Sequence, residues 1–184
     1  MTRDQLAHVL RAASNVVTED PVLVVIGSQS LLAMHDEADL PPVATGSMEV
    51  DVAYFDDPDD LKADRVDAAI GELSQFHDTF GIYAHGVSTM TAVLPEGWQG
   101  RLVPWSNAST GSSRAVLLEP HDCVVSKLVA HRDKDLAFAG ALIDAGLVHV
   151  EMLRARAELL PGAVDPTVRT AVQRWLDAWT DRAS

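Results

Sequence analysis

Apolar residues at Leu6, Val9, Leu10, Ala13, Val16 and Val17 recur at helical spacing, which predicts a first helix over Asp4 to Val17 that Thr18-Glu19-Asp20-Pro21 stops. The run Val22-Leu23-Val24-Val25-Ile26 then reads as a buried strand closed by Gly27-Ser28. Ser28 is expected to cap a helix through Gln29 to Met34, its first amides facing an anion. Asp36 to Gly46, with Pro41-Pro42 and small polar residues, reads as a mobile loop overhanging a site. Strict alternation in Ser47-Met48-Glu49-Val50-Asp51-Val52 predicts a second strand. It places Ser47, Glu49 and Asp51 on one face and Met48, Val50 and Val52 on the other, toward a core.

Further on, Asp56-Asp57-Pro58-Asp59-Asp60 breaks the sheet, and Asp59 or Asp60 is expected to cap a helix from Leu61 to about Phe76. Strands are expected over Gly81 to Ala84, His85 to Leu94 and Arg101 to Trp105, with a turn at Gly97 and Gly100, and again over Ala115 to Leu118. Glu119-Pro120 opens a helix reaching toward Arg132. The remainder is helical through Leu136 to Ala145, Val148 to Leu159 and Asp165 to Asp181, with Pro161-Gly162 as the clear break. Trp175 and Trp179 share one helix face, as core or subunit contact. The fold class is therefore α/β (α+β): a mixed β-sheet flanked by helices over residues 1–118, with a C-terminal helical part over 119–184 packed on it, in one compact domain or two.

With 47% hydrophobic residues in 184, the chain can bury one sizeable core. No stretch is apolar enough to span a bilayer, and Met1-Thr2-Arg3-Asp4 opens an amphipathic helix rather than a signal peptide, so a cytoplasmic location with no membrane partner is expected. The lone Cys123 excludes a disulfide framework. A formal net charge of −13 repels nucleic acid, so an RNA partner needs a local basic surface drawn from Lys127, His131, Lys134, Arg154, Arg156, Arg169 and Arg174. His121 and His131 lack the spacing or cysteine partners of a zinc site.

The chemistry concentrates on Glu49 and Asp51. Like charges this close on one sheet face either point to solvent on an edge strand or are balanced by a cation, and the alternation alone leaves both readings open. Gly27 changes that balance, because a glycine after a buried strand lets the backbone approach a ligand.

The order of apolar strand, Gly27-Ser28, helix and Ser47-Met48-Glu49-Val50-Asp51 resembles the nucleotidyltransferase superfamily of DNA polymerase beta-like fold. Lys127-Leu128-Val129-Ala130-His131-Arg132-Asp133-Lys134-Asp135, with Leu94-Pro95-Glu96-Gly97-Trp98 and Arg101, is similar to small bacterial relatives of the AbiEii and MenT groups of toxin-antitoxin toxins. The resemblance spans roughly residues 20–145. It implies metal-dependent transfer of a nucleotide from an NTP to an acceptor, the tRNA 3′ end in the toxin relatives, with a cognate antitoxin as partner. Glu49 and Asp51 then hold Mg2+ or Mn2+, and Gly27 and Ser28 hold the β- and γ-phosphates. Ser47 and Lys127 contact phosphate, and Asp135 orients the acceptor or acts as base. The chain departs from the pattern in carrying Glu49 where Asp is commoner, a long linker from Ser28 to Glu49, and no third carboxylate on a later strand. Two other readings stand beside it: a catalytically silent binding or regulatory protein of this fold, and a small-molecule nucleotidyltransferase of the aminoglycoside-modifying type, whose cationic acceptors an acidic surface suits.

Overall fold

A computed structural model describes residues 1–20, 22–105 and 114–183, the last three by backbone alone. Pro21, part of the expected helix stop, lies outside the described residues. The chain divides into two compact units, Met1–Thr91 with Leu102–Leu118, and Ala92–Arg101 with Glu119–Ser184.

The first unit opens with α1 (Arg3–Val16), started by a reciprocal cap in which the Thr2 hydroxyl accepts from the Gln5 amide and the Gln5 side chain accepts from the Thr2 amide. Its Leu6, Val9, Leu10 and Ala13 are buried, as the stripe requires. There follow β1 (Val22–Val25), a 3₁₀ turn (Ser28–Ala33), α2 (Pro42–Thr45), β2 (Glu49–Ala53), α3 (Leu61–Ile70), α4 (Gln75–Phe80), β3 (Tyr83–Gly86), β4 (Val103–Pro104) and β5 (Arg114–Leu117). These make a five-stranded mixed sheet in the order β3-β2-β1-β5-β4. β1 runs antiparallel to β2 and parallel to β5, β2 parallel to β3, and β4 antiparallel to β5. Leu23, Val24 and Val25 are all buried, which is why β1 reads as an uninterrupted apolar run.

Several expected boundaries shift for local reasons. β2 begins at Glu49, and Met48 is 54% exposed rather than in the core. Asp36 to Gly46 is no bare loop, since it holds α2 and buries Leu40 and Ala44. Arg3 ties that segment to α1 through Glu37, which accepts from the Arg3 amide, and Asp36. Neither Asp59 nor Asp60 caps α3. The Asp57 carboxylate does, accepting from the amides of Lys62 and Ala63 at 2.9–3.0 Å. The long helix expected to Phe76 breaks at Gly71 and at Leu73, whose φ is 62°, and restarts where the Ser74 hydroxyl accepts from His77 N. Instead of separate strands over Gly81 to Ala84 and His85 to Leu94 there is the single β3, and only Val103–Pro104 of the Arg101 to Trp105 stretch is strand.

α3 lies on β3 at Gly86. The Gly86 amide donates to Asp67 at 3.0 Å, and a Cβ at Gly86 meets the Ala63 carbonyl oxygen at 2.0 Å. Because these are backbone atoms that cannot step aside, Gly86→Ala is expected to cost about 1–3 kcal/mol or more. Thermal unfolding followed by circular dichroism should show a fall of several degrees in Tm, at about 2–4 °C per kcal/mol for a chain of this size.

The second unit carries a 3₁₀ turn (Trp98–Arg101), α5 (Pro120–Ala130), α6 (Asp133–Asp144), α7 (Val150–Glu158) and α8 (Pro166–Ala183). Its apolar contacts include Val124, Leu128, Phe138, Leu142, Leu153, Val172 and Leu176, all buried. Trp179 packs on α6 so closely that a Cβ at Gly140 meets its ring at 2.8 Å, and the Trp175 and Trp179 centroids are 5.5 Å apart. Asp122, fully buried, is gripped by Arg101 through Nε at 2.8 Å and a second nitrogen at 3.0 Å, with the Arg156 Nε at 3.3 Å in poor hydrogen-bond alignment. Glu119 caps α5. Burial works against its ionisation, yet the bond from His121 and two backbone amides hold the carboxyl below its ordinary value. Among the described residues no helix is long and apolar enough to cross a membrane.

Candidate metal and nucleotide site

β2 and β3 run parallel in the register Glu49↔Tyr83, Val50↔Ala84, Asp51↔His85 and Val52↔Gly86. Paired residues in a sheet share a face. Val50, Val52 and Ala84 therefore turn into the core, where α3 covers Gly86, while Glu49, Asp51, Tyr83 and His85 turn to the opposite face. There the His85 Nδ1 lies 3.2 Å from one Glu49 oxygen and 3.5 Å from one Asp51 oxygen. One ligand atom from each of Glu49, Asp51 and His85 falls within 4.8 Å of the others. Adjacent ligands of an octahedral ion with bonds near 2.1 Å stand about 3 Å apart, a spacing that the two distances from His85 Nδ1 approach.

Glu49 is steadied from the far side by the Tyr83 hydroxyl, which donates to its other oxygen at 3.0 Å. Burial, then that hydrogen bond and the charge of Glu49, push the phenol up to about 12, so it stays protonated and donating at neutral pH. Tyr83→Phe removes the bond that orients the Glu49 carboxylate. If Glu49 holds a divalent cation, the variant is expected to bind it about 10–100-fold more weakly with little change in Tm, a result calorimetric titration with Mn2+ will read.

The glycine corner sits against Asp51. Ile26 N donates to the Asp51 carbonyl at 3.1 Å, and a Cβ built on Gly27 meets Asp51 Oδ2 at 2.1 Å. Only a hydrogen side chain at residue 27 leaves the carboxylate its present place. Ser28 does not cap the following helix. Gly27 holds the cap position without a side-chain bond, and the helix is a 3₁₀ turn over Ser28–Ala33 rather than an α-helix over Gln29 to Met34.

Of the other expected site residues, Ser47 is engaged with the backbone of Glu49, accepting from its amide at 3.1 Å and donating to its carbonyl at 3.3 Å. Lys127 and Asp135 belong to the second unit. A left-handed turn at His131 (φ 55°) ends α5, and the chain re-enters a helix at Asp133. That break sets Lys127 Nζ 3.9 Å from Asp135, which Arg132 also grips at 2.5 Å. Of the basic candidates, Arg154 pairs with Asp177, Arg156 with Asp122, and Arg169 donates to the carbonyls of Leu160, Pro161 and Val164.

Tyr83 and His85 are not among the site residues that the sequence predicts. A strand boundary drawn between Ala84 and His85 hid their shared parity, although Tyr83-x-His85 repeats the spacing of Glu49-x-Asp51. A cleft of about 350 Å3 beside the pair is lined by Glu49, Asp67, Glu72, Tyr83 and His85.

The mixed sheet thus sets a Glu-x-Asp pair against a glycine corner. A family model described as nucleotidyltransferase of unknown function (DUF6036) matches residues 4–172, and the chain belongs to that family. No curated protein and no solved structure matches it.

Proposed function

We propose that the chain is a metal-dependent nucleotidyltransferase whose centre is Glu49 and Asp51 beside Gly27. The observation that carries this reading is the convergence of both carboxylates with His85 at a corner where any Cβ on residue 27 would displace the Asp51 carboxylate. A divalent cation bound there supplies charge neutralisation for the phosphoryl oxygens. The residues then divide the work by position. Glu49 and Asp51 hold the cation, Tyr83 fixes Glu49, and Gly27 and Ser28 receive the β- and γ-phosphates. An acceptor hydroxyl bonds the α-phosphorus and gives up its proton to water as the α–β bridge breaks and pyrophosphate leaves.

Two observations favour a cationic small molecule as acceptor over the tRNA 3′ end. Glu49, Asp67 and Glu72 make the adjoining cleft acidic, and Arg154, Arg156 and Arg169 are spent on contacts within the helical unit. The test is incubation with each labelled NTP and Mg2+ or Mn2+, with total tRNA in one arm and aminoglycosides in another. Label on the cationic acceptor is expected. Label on RNA instead supports the toxin reading with its antitoxin partner. No label in any arm sinks transfer and leaves a silent binding protein.

A further inference from the structure

We infer that His85 is a metal ligand, and that the centre is built for a first-row divalent transition ion rather than for Mg2+. The inference deepens the proposed function and rests on its placing of a cation between Glu49 and Asp51. Oxygen donors alone suit Mg2+, which keeps its waters and takes one or two carboxylates. An imidazole nitrogen in the set shifts preference toward the later, softer divalent ions, whose affinity for nitrogen donors rises from Mn2+ through Co2+.

The geometry supplies that nitrogen where a third ligand belongs. The register of β3 on β2 fixes His85 opposite Asp51, on the cation's face of the sheet. Its Nδ1 stands 3.2 Å and 3.5 Å from one oxygen of each acid, close to the about 3 Å between adjacent ligands of an octahedral ion. Two of the three ligand-to-ligand distances thus match adjacent positions around an ion, all three atoms lie within 4.8 Å of one another, and the outer face of an ion held there would go to phosphate oxygens and water. At 49% exposure for His85, 37% for Glu49 and 30% for Asp51, that face is open to a ligand. The lack of a third carboxylate on a later strand has a physical counterpart here, because a histidine on the neighbouring strand occupies the ligand position. The competing role for His85 is a positively charged cross-link between two acids with no metal, and the experiment is chosen to separate the two.

The full chain, stripped with chelator, is titrated with Mn2+ by electron paramagnetic resonance and with Co2+ by visible absorption, with Mg2+ as competitor and no nucleotide present. Wild type is expected to bind Mn2+ well ahead of Mg2+ and to give a Co2+ spectrum shifted by a nitrogen donor. His85→Gln should lose that shift and at least about 10–100-fold in Mn2+ affinity, the cost of removing even an outer partner of a metal ligand. His85→Asp, which offers three carboxylates, should move the preference back toward Mg2+, a reversal that a merely structural histidine does not produce. Equal Mn2+ affinity and an unchanged Co2+ spectrum in His85→Gln overturn the inference, as does absence of saturable Mn2+ binding by wild type. The transfer reading is judged apart, by the labelled-NTP assay. Transfer supported undiminished by Mg2+ in His85→Gln sinks this inference alone, while His85-dependent Mn2+ binding without any NTP-dependent label sinks transfer alone.

Discussion

Asp51→Asn is expected to cut nucleotide transfer by about 10²–10³-fold or more while leaving the fold and its Tm intact. The substitution keeps volume and removes one charge. Asp51 lies on β2 with its carbonyl accepting from Ile26 N at 3.1 Å, a backbone bond that the variant retains. Its side chain is 30% exposed, so an amide there remains solvated and leaves no buried polar group stranded. Folding also loses a like-charge neighbour for Glu49 on the same face, which opposes any destabilisation. Activity and stability should therefore part company. Calorimetric titration with Mn2+ alongside the labelled-NTP assay should show the cation lost together with turnover. Turnover like wild type in this variant would remove Asp51 from the chemistry and the proposed centre with it.

That separation explains how much the sequence could disclose. Residues governed by one period were legible. The 3.6-residue stripe of α1 and the apolar run of β1 are buried where they should be, and the alternation of β2 puts Val50 and Val52 inside and the two acids outside. So was the fold class, a mixed sheet with flanking and C-terminal helices. What was not legible depends on pairing between distant segments. Nothing local says that Tyr83 stands opposite Glu49 and His85 opposite Asp51, because register is settled by packing across the sheet. The same holds for Asp57, whose carboxylate reaches the amides of Lys62 and Ala63 over a turn where Asp59 and Asp60 looked the nearer caps. Helix ends fail for a related reason. Leu73 and Phe76 continue an apolar stripe past Ile70, yet Leu73 is 91% exposed, so the stripe gave no burial to hold one helix together.

The break between α5 and α6 reaches from sequence to chemistry in the other direction. Lys127 and Asp135 lie two turns apart in a continuous helix and would face different ways. His131 in the left-handed region folds the chain back, and Asp135 comes within 3.9 Å of Lys127. The turn that brings the two side chains together is one that composition does not announce.

Gly27→Ala is expected to mimic Asp51→Asn in function, with a different signature in stability. The backbone at Gly27, with φ −83° and ψ −167°, is available to any residue, so conformational strain is no part of the effect. The added methyl instead lands 2.1 Å from Asp51 Oδ2 and 3.0 Å from its Cγ. Either the carboxylate swings away from Glu49 and His85 or the corner retreats from β2. Both outcomes dismantle the ligand face, so Mn2+ affinity and transfer should fall toward the level of Asp51→Asn. The overpacking itself is expected to cost about 1–3 kcal/mol, seen as a drop of several degrees in thermal unfolding. The double variant Gly27→Ala with Asp51→Ala decides whether the contact is the cause. Removing the carboxylate takes away the two nearest atoms that the methyl strikes and leaves only Asp51 Cβ at 3.3 Å, so the two stability costs should fail to add and Tm should recover toward that of Asp51→Ala alone, while transfer stays lost. Additive losses would mean that the methyl acts elsewhere, and that corner and acid are neighbours without being parts of one site.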